Sequence, residues 1–210
     1  MNQKNTLTLH QTMLRAAGLL SLFVVLSVAL LMAINWFTQP KIIEAERQAL
    51  LQLINQVMPA ETYNNDLLAD VRFVTEPDFL GSPEPMAIYR ARLNNQPAGL
   101  VLQTIAPNGY SGNIHILVGV LPDGRVSGVR VLKHRETPGL GDKIELRKTD
   151  WILSFNGKSL TEQNANRWAV KRDRGEFDQF TGATITPRAV VGAVRKTLDY
   201  VNQQGVALYD

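Results

Sequence analysis

Between Ala16 and Pro40 the chain carries no charged side chain, and the run AAGLLSLFVVLSVALLMAI is interrupted only by Gly18, Ser21 and Ser27. At ~1.5 Å rise per residue, about 19 such residues cross a hydrocarbon layer of about 30 Å. The pattern predicts a transmembrane helix over residues 16–38 behind a polar tail of residues 1–15. A cleavable signal peptide is the rival, since Lys4 and Arg15 precede the apolar run. Its apolar core spans only about 7–15 residues, however, and ends at an A-x-A-like site that is not clear here. Trp36 suits a membrane interface.

Residues 39–85 read as a stalk helix and connector. Gln39-Pro40 is a turn signal, after which Ile42, Ile43, Ala49, Leu50, Leu53, Ile54 and Val57 recur at helical spacing. This predicts an amphipathic helix from Lys41 to Val57, closed by Pro59. Its stripe fits packing on its own domain, although a partner-binding face has the same periodicity. The Asp- and Pro-rich stretch 61–85 reads as an irregular connector.

A domain over residues 86–204 follows, where short β-type runs replace the helical period: Ala87–Leu93, Gly99–Ile105, Asn113–Leu121 and Val126–Leu132. The turn Pro122-Asp123-Gly124-Arg125 joins the last two. Thr186-Pro187 predicts a helix start, with a hydroxyl N-cap and a proline at the first helical position. Val190, Val191, Val194, Leu198 and Val201 then form one apolar stripe to about Gln203. Trp151, Ile152, Leu153 and Phe155 read as core, and Trp168-Ala169-Val170 as a buried strand. The fold class is α+β: a mixed, antiparallel-rich sheet with packed helices, behind one membrane helix.

Charge narrows the function. The formal charge of +3 owes much to Lys4 and Arg15; beyond residue 40 there are 20 basic and 19 acidic side chains, without a basic run. Nucleic-acid binding is therefore not expected. Lys4 and Arg15 ahead of the helix favour a cytoplasmic N-terminus, while Glu44 and Glu46 offset Lys41 and Arg47 beyond it. The chain has no cysteine, which excludes disulfides, thiolate metal sites, cysteine nucleophiles and cysteine-ligated iron–sulfur clusters. Redox chemistry would need a bound organic cofactor; no metal site is read from the chain.

Immediately before the last helix stands Asp178-Gln179-Phe180-Thr181-Gly182-Ala183-Thr184-Ile185-Thr186. Small residues there allow close backbone approach, and the free N–H groups of a helix start favour a phosphate. Taken alone, the segment also reads as an ordinary loop with threonine caps. Two further Gly-rich loops lie at strand ends: Ala106-Pro107-Asn108-Gly109-Tyr110-Ser111-Gly112 and His134-Arg135-Glu136-Thr137-Pro138-Gly139-Leu140-Gly141-Asp142-Lys143-Ile144. Either offers backbone and apolar surface to a planar ring. Gly139-Leu140-Gly141 is not a dinucleotide fingerprint and opens no βαβ unit.

Asp178, Thr181, Gly182, Ala183 and Thr184 resemble the flavinylation motif D-x-x-[ST]-G-A-[ST] of an FMN-binding domain. That domain is shared by the G subunit of Rnf/Rsx electron-transport complexes and the C subunit of the sodium-pumping NADH:quinone reductase. The two Gly-rich loops, the single anchor and the stalk arrive in the family's order. The chain length favours the Rnf/Rsx type, with the sodium-pumping type as the near alternative.

The resemblance implies FMN joined through its phosphate to Thr184, installed outside the cytoplasm by a magnesium-dependent flavin transferase. Thr181, Gly182, Ala183 and Asp178 would complete the motif, with Asp178 serving transferase recognition or orientation of Thr184. Tyr110, Ser111, Gly112, Glu136, Thr137, Pro138, Gly139, Leu140 and Gly141 would line the flavin site, with no catalytic residue beyond the flavin. Lys133, Arg135, Lys143 and Arg147 are candidates to stand near anionic flavin. The implied setting is a bacterial inner membrane, with the domain in the periplasm and the other subunits of an ion-translocating electron-transport complex as partners, beside the lipid bilayer.

Two other classes fit less well. A hydrolase is prompted by Ser111, His115 and His134, but Asn113 breaks the G-x-S-x-G elbow and one of only three histidines, His10, lies in the tail. A non-catalytic binding or assembly module would leave Thr184 unmodified.

Overall fold

The computed structural model describes residues 9–209, in two compact units, Met1–Ala49 and Leu50–Asp210. Helix α1 runs over Leu9–Val57 and so contributes to both. In the first unit its apolar window has a mean hydropathy of 2.7 and none of it is buried. By length and composition this helix can cross a membrane.

The turn expected at Gln39-Pro40 is not formed: Pro40 lies inside α1. A proline removes one intrahelical bond without enforcing a stop when both flanks are helical. Beside it, the Thr38 hydroxyl bonds back to the Ile34 carbonyl at 2.8 Å. The predicted stripe is also split, since Ile42 and Ile43 are exposed whereas Ile54 and Val57 are fully buried.

In the second unit, strands β1 (Val71–Val74), β2 (Met86–Leu93), β3 (Gln96–Gly109), β4 (Gly112–Val120) and β5 (Val126–Lys133) form one sheet in the order β1-β2-β3-β4-β5. All its pairings are antiparallel. Alternation sends Ile88, Leu102, Ile116, Val118 and Val129 to one core, and Tyr89, Ala91, Val101 and Leu117 to another on the opposite face. Helix α3 (Ile185–Gln204) covers the first with Val190, Val191, Val194 and Leu198. Ile54, Val57 and Met58 cover the second. The last turn of α1 is held to β5, where the Ser127 hydroxyl donates to the Val57 carbonyl and Arg130 Nε to Gln56 Oε1 at 2.9 Å.

The connector is more ordered than its composition predicts. It contains β1 and a one-turn helix, α2 (Pro77–Leu80), with proline early in the helix and Gly81 at φ +71° closing it. Trp168-Ala169-Val170 is not a strand: the chain there follows a 3₁₀ turn, Ala165–Arg167, and Val170 makes only an isolated bridge to Phe177. What is buried is an aromatic cluster, with Phe155 stacked on Phe177 at 4.6 Å between centroids and Trp168 at 5.2 Å from Phe177. Apolar content drives this segment inside, and its backbone is carried by short 3₁₀ turns rather than by a sheet ladder.

Candidate functional site

Three segments meet at the N-terminal end of α3. The β3–β4 hairpin delivers Tyr110 and Ser111 at its tip, just beyond the Gly109–Gly112 pair. The 134–144 loop leaves the end of β5, and the 178–186 segment leads into α3. Together they enclose a cleft of about 310 Å³ lined by Tyr110, Glu136, Thr137, Leu140, Gly141 and residues 182–186. A larger groove, about 410 Å³, adjoins it across Ile185 and runs between α2 and α3. The smaller cleft is the better site, because a hydroxyl, a helix start and a buried carboxylate converge there.

The 178–186 segment owes its path to one turn. The Ala183 N–H donates to the Phe180 carbonyl at 3.1 Å, and Gly182 between them sits at φ +80°. A side chain at that φ would be strained, which is why glycine serves. Helix α3 then begins at Ile185 with Thr184 in the N-cap position. This corrects the expected start, since Thr186 lies inside the first turn and Pro187 one residue further on. Proline is accommodated there because the first N–H groups of a helix have no intrahelical acceptor.

The three threonines of this segment differ in a way that bears on chemistry. Thr186 is fully buried and its hydroxyl donates to Glu136 Oε2. Thr181 is exposed and outside the cleft lining. Thr184 is half-buried, lines the cleft and makes no side-chain cap bond, and the first intrahelical bond runs from Arg188 N–H to its carbonyl. Its hydroxyl is thus next to first-turn amides that have no helix acceptor.

Glu136 joins the three segments. It is only 5% exposed, and its Oε1 accepts the Ser111 N–H at 3.0 Å while Oε2 accepts from Thr186. A Cβ on Gly141 would stand 2.7 Å from Oε2, so a larger residue there would displace the carboxylate. The backbone of Glu136 is fixed in turn: its N–H donates to His134 Nδ1 at 3.0 Å, and His134 Nε2 meets Glu145 Oε1 at 2.6 Å. Because Nδ1 accepts, the arrangement suits a neutral imidazole with its proton on Nε2. The Glu145 carboxyl is pulled down to about 2, foremost by its bond from Arg147, with burial opposing and His134 assisting. Buried Asp142 holds the loop's other end, accepting the Gly139 N–H at 2.8 Å and facing Lys148 Nζ at 3.1 Å.

Of the residues expected at the site, Tyr110, Glu136, Thr137, Leu140, Gly141, Gly182, Ala183 and Thr184 line the cleft. Ser111, Gly112, Pro138, Gly139, Thr181 and Asp178 do not. Ser111 and Gly139 nonetheless hold its walls through backbone bonds. Asp178 points its carboxylate outward, 2.5 Å from Lys171 Nζ, while its carbonyl accepts the Trp151 indole N–H at 2.7 Å. Lys133, Arg135, Lys143 and Arg147 are absent from the lining, and Arg147 is paired with Glu145. Ile185 and Thr186 line the cleft without having been expected there. Their adjacency to Thr184 was the available signal, masked by reading Thr186 as a cap.

Comparison with known proteins identifies the family. Residues 109–199 match the FMN-binding domain family, and residues 1–57 match the RnfG N-terminal region. The G subunit of an ion-translocating oxidoreductase complex from Shewanella amazonensis is 47% identical over 194 residues, 92% of this chain and 90% of that protein. The corresponding protein of Pseudoalteromonas atlantica is 48% identical over 91% of this chain and 89% of its own. That of Vibrio cholerae is 46% identical over 95% of both. The chain therefore belongs to the RnfG family, the G subunits of ion-translocating oxidoreductase complexes, and carries that family's FMN-binding domain.

Proposed function

We propose that this chain is the electron-carrying subunit of a membrane-bound ion-translocating oxidoreductase complex, with FMN esterified through its phosphate to Thr184. The observation that carries the reading is the position of Thr184. It is the one threonine of the motif that lines the cleft with a hydroxyl free of cap bonding, at the start of a long helix. The residues fit the group. First-turn amides favour a phosphodiester, Gly182 and Ala183 leave room for a planar ring, and Leu140, Ile185 and Tyr110 offer it apolar surface.

Bound flavin supplies acceptance of electrons singly or in pairs. The chain's contribution is to hold and orient it. Attachment replaces the proton on Thr184 Oγ1 with the FMN phosphoryl group, and AMP leaves when a flavin transferase uses FAD as donor. In this reading Asp178, exposed beside Lys171, serves recognition by that transferase or orientation of Thr184, and its exposure supports the former.

The apolar window of α1 anchors the chain once in the inner membrane through residues 16–38, with residues 1–15 cytoplasmic, 39–85 as stalk and connector, and the FMN-binding domain, residues 86–204, in the periplasm. The names of the relatives favour the Rnf/Rsx type over the sodium-pumping type, and make the other subunits of the complex its partners. Producing the full chain with export and a flavin transferase tests the reading: its band on a denaturing gel should fluoresce as flavin. A non-fluorescent band would favour a binding or assembly module.

A further inference from the structure

Glu136 is a buried acid in the wall of the cleft without a cation. Its two oxygens receive an amide N–H from Ser111 and a hydroxyl from Thr186, and no ion pair to it is found among the described residues. Lys148 and Arg147, which follow this loop in the chain, pair with Asp142 and Glu145. The backbone N–H of Glu136 is pinned to His134, and Gly109 and Gly141 pack against its carboxyl group so closely that a Cβ on either would come within 3.0 Å of it.

So much packing around one carboxylate could serve only to staple hairpin, loop and helix. A glutamine would do that equally well. Its Oε1 would accept the Ser111 N–H as before, and its amide would donate to Thr186 Oγ1, which can accept as well as donate. The staple therefore does not require a charge, whereas the field inside the cleft does depend on one.

Resting on the reading that flavin occupies this cleft, we infer that the Glu136 carboxylate sets the flavin's reduction potential. A fixed negative charge in the cleft wall, shielded from water, disfavours the gain of electrons beside it. It thereby poises the cofactor low, as suits a donor to a further carrier. Glu136 is in this sense a positioning and tuning residue: it orients Ser111 and Thr186 by hydrogen bonds and acts on the ring by its charge.

The test is a spectroelectrochemical titration at about pH 8 of full-length, flavin-bearing protein, comparing wild type with E136Q and E136D. E136Q should titrate at a more positive potential by at least a tenfold change in the one-electron reduction equilibrium, about 59 mV. E136D, which keeps the charge, should stay near wild type. Equal circular dichroism and melting temperature for E136Q and wild type, with the potential displaced, would separate the charge from the staple. If E136Q takes up no flavin, T186V asks the same question from the other side. Removing the hydroxyl that offsets the charge should displace the potential to more negative values. Flavin-bearing variants with unchanged potentials would overturn the tuning role and leave the flavin reading intact. Wild-type protein without covalent flavin would overturn both.

Discussion

At the scale of single residues, the site is built from bonds that place charge. Glu145 shows the consequence for pH. Its carboxyl falls from 4.5 to about 2 in the folded chain, first through Arg147 and also through His134, against the cost of burial. A depressed folded value contributes stability that is complete above the unfolded pKa and disappears as pH falls through the folded one. Asp70 adds to this in the same direction: burial raises its pKa, but bonds from Arg92 and Arg90 outweigh that and leave it low. Thermal melts of the chain should therefore lose stability between about pH 4.5 and about pH 2, beyond what unpaired carboxylates explain. The E145Q variant should melt lower at neutral pH and lose less on acidification. Parallel pH curves for variant and wild type would contradict the assignment.

Not all of these residues were legible beforehand. The Thr184 motif stood out through its family resemblance, since four small residues have no physical signature of their own. Glu136 was expected at the flavin site through the same resemblance, but its burial could not be read. Its burial depends on Ser111, 25 residues away, and Thr186, 50 residues away, converging on it. Asp178 was legible as part of the motif, but its outward pairing with Lys171 was not.

At the scale of elements, periodicity decided what could be read. Strands β2, β4 and β5 were predicted nearly in full, as was the buried stripe of α3, whereas only the middle of β3, Gly99–Ile105, was read out of Gln96–Gly109. Elements of four residues, such as β1 and α2, span at most two pattern repeats, too few to show a period, and sat unseen in a polar stretch. Pro40 misled in the opposite sense, since a proline marks a break only where the flanks do not both favour helix. The 145–180 stretch has hardly any regular backbone, so its order must come from side chains. Phe155, fully buried and touching the rings of Trp151, Trp168 and Phe177, is the centre of that order. Phe155→Ala should cost about 3–5 kcal/mol in urea unfolding. Through the Trp151 bond to the Asp178 carbonyl, it should also loosen the 178–186 segment. A cost under about 1 kcal/mol would show that the cluster is not what holds this segment.

At the scale of the whole molecule, the chain couples a helix fit for a bilayer to a domain whose sheet is buried on both faces. Composition made this division visible, because charge vanishes over residues 16–40 and reappears beyond them. The orientation across the membrane rests on Lys4 and Arg15 ahead of the helix and on the offset of Lys41 and Arg47 by Glu44 and Glu46 beyond it, and can be measured directly. The chain has no cysteine, so single cysteines at Gln3 and at exposed Gln163 report one side each. A membrane-impermeant maleimide added to spheroplasts should label Q163C and spare Q3C until the cells are opened. The reverse pattern would overturn the periplasmic assignment and, with it, maturation outside the cytoplasm.

The central claim is chemical, and peptide-level mass spectrometry tests it most directly. Full-length wild type and Thr184→Ala are matured with the same flavin transferase, digested, and the 178–188 region is sequenced by fragmentation. One FMN, less water, is expected on Thr184 in wild type, and an unmodified segment in the variant. FMN on Thr181 or Thr186, or persistence of the modification in Thr184→Ala, would contradict it.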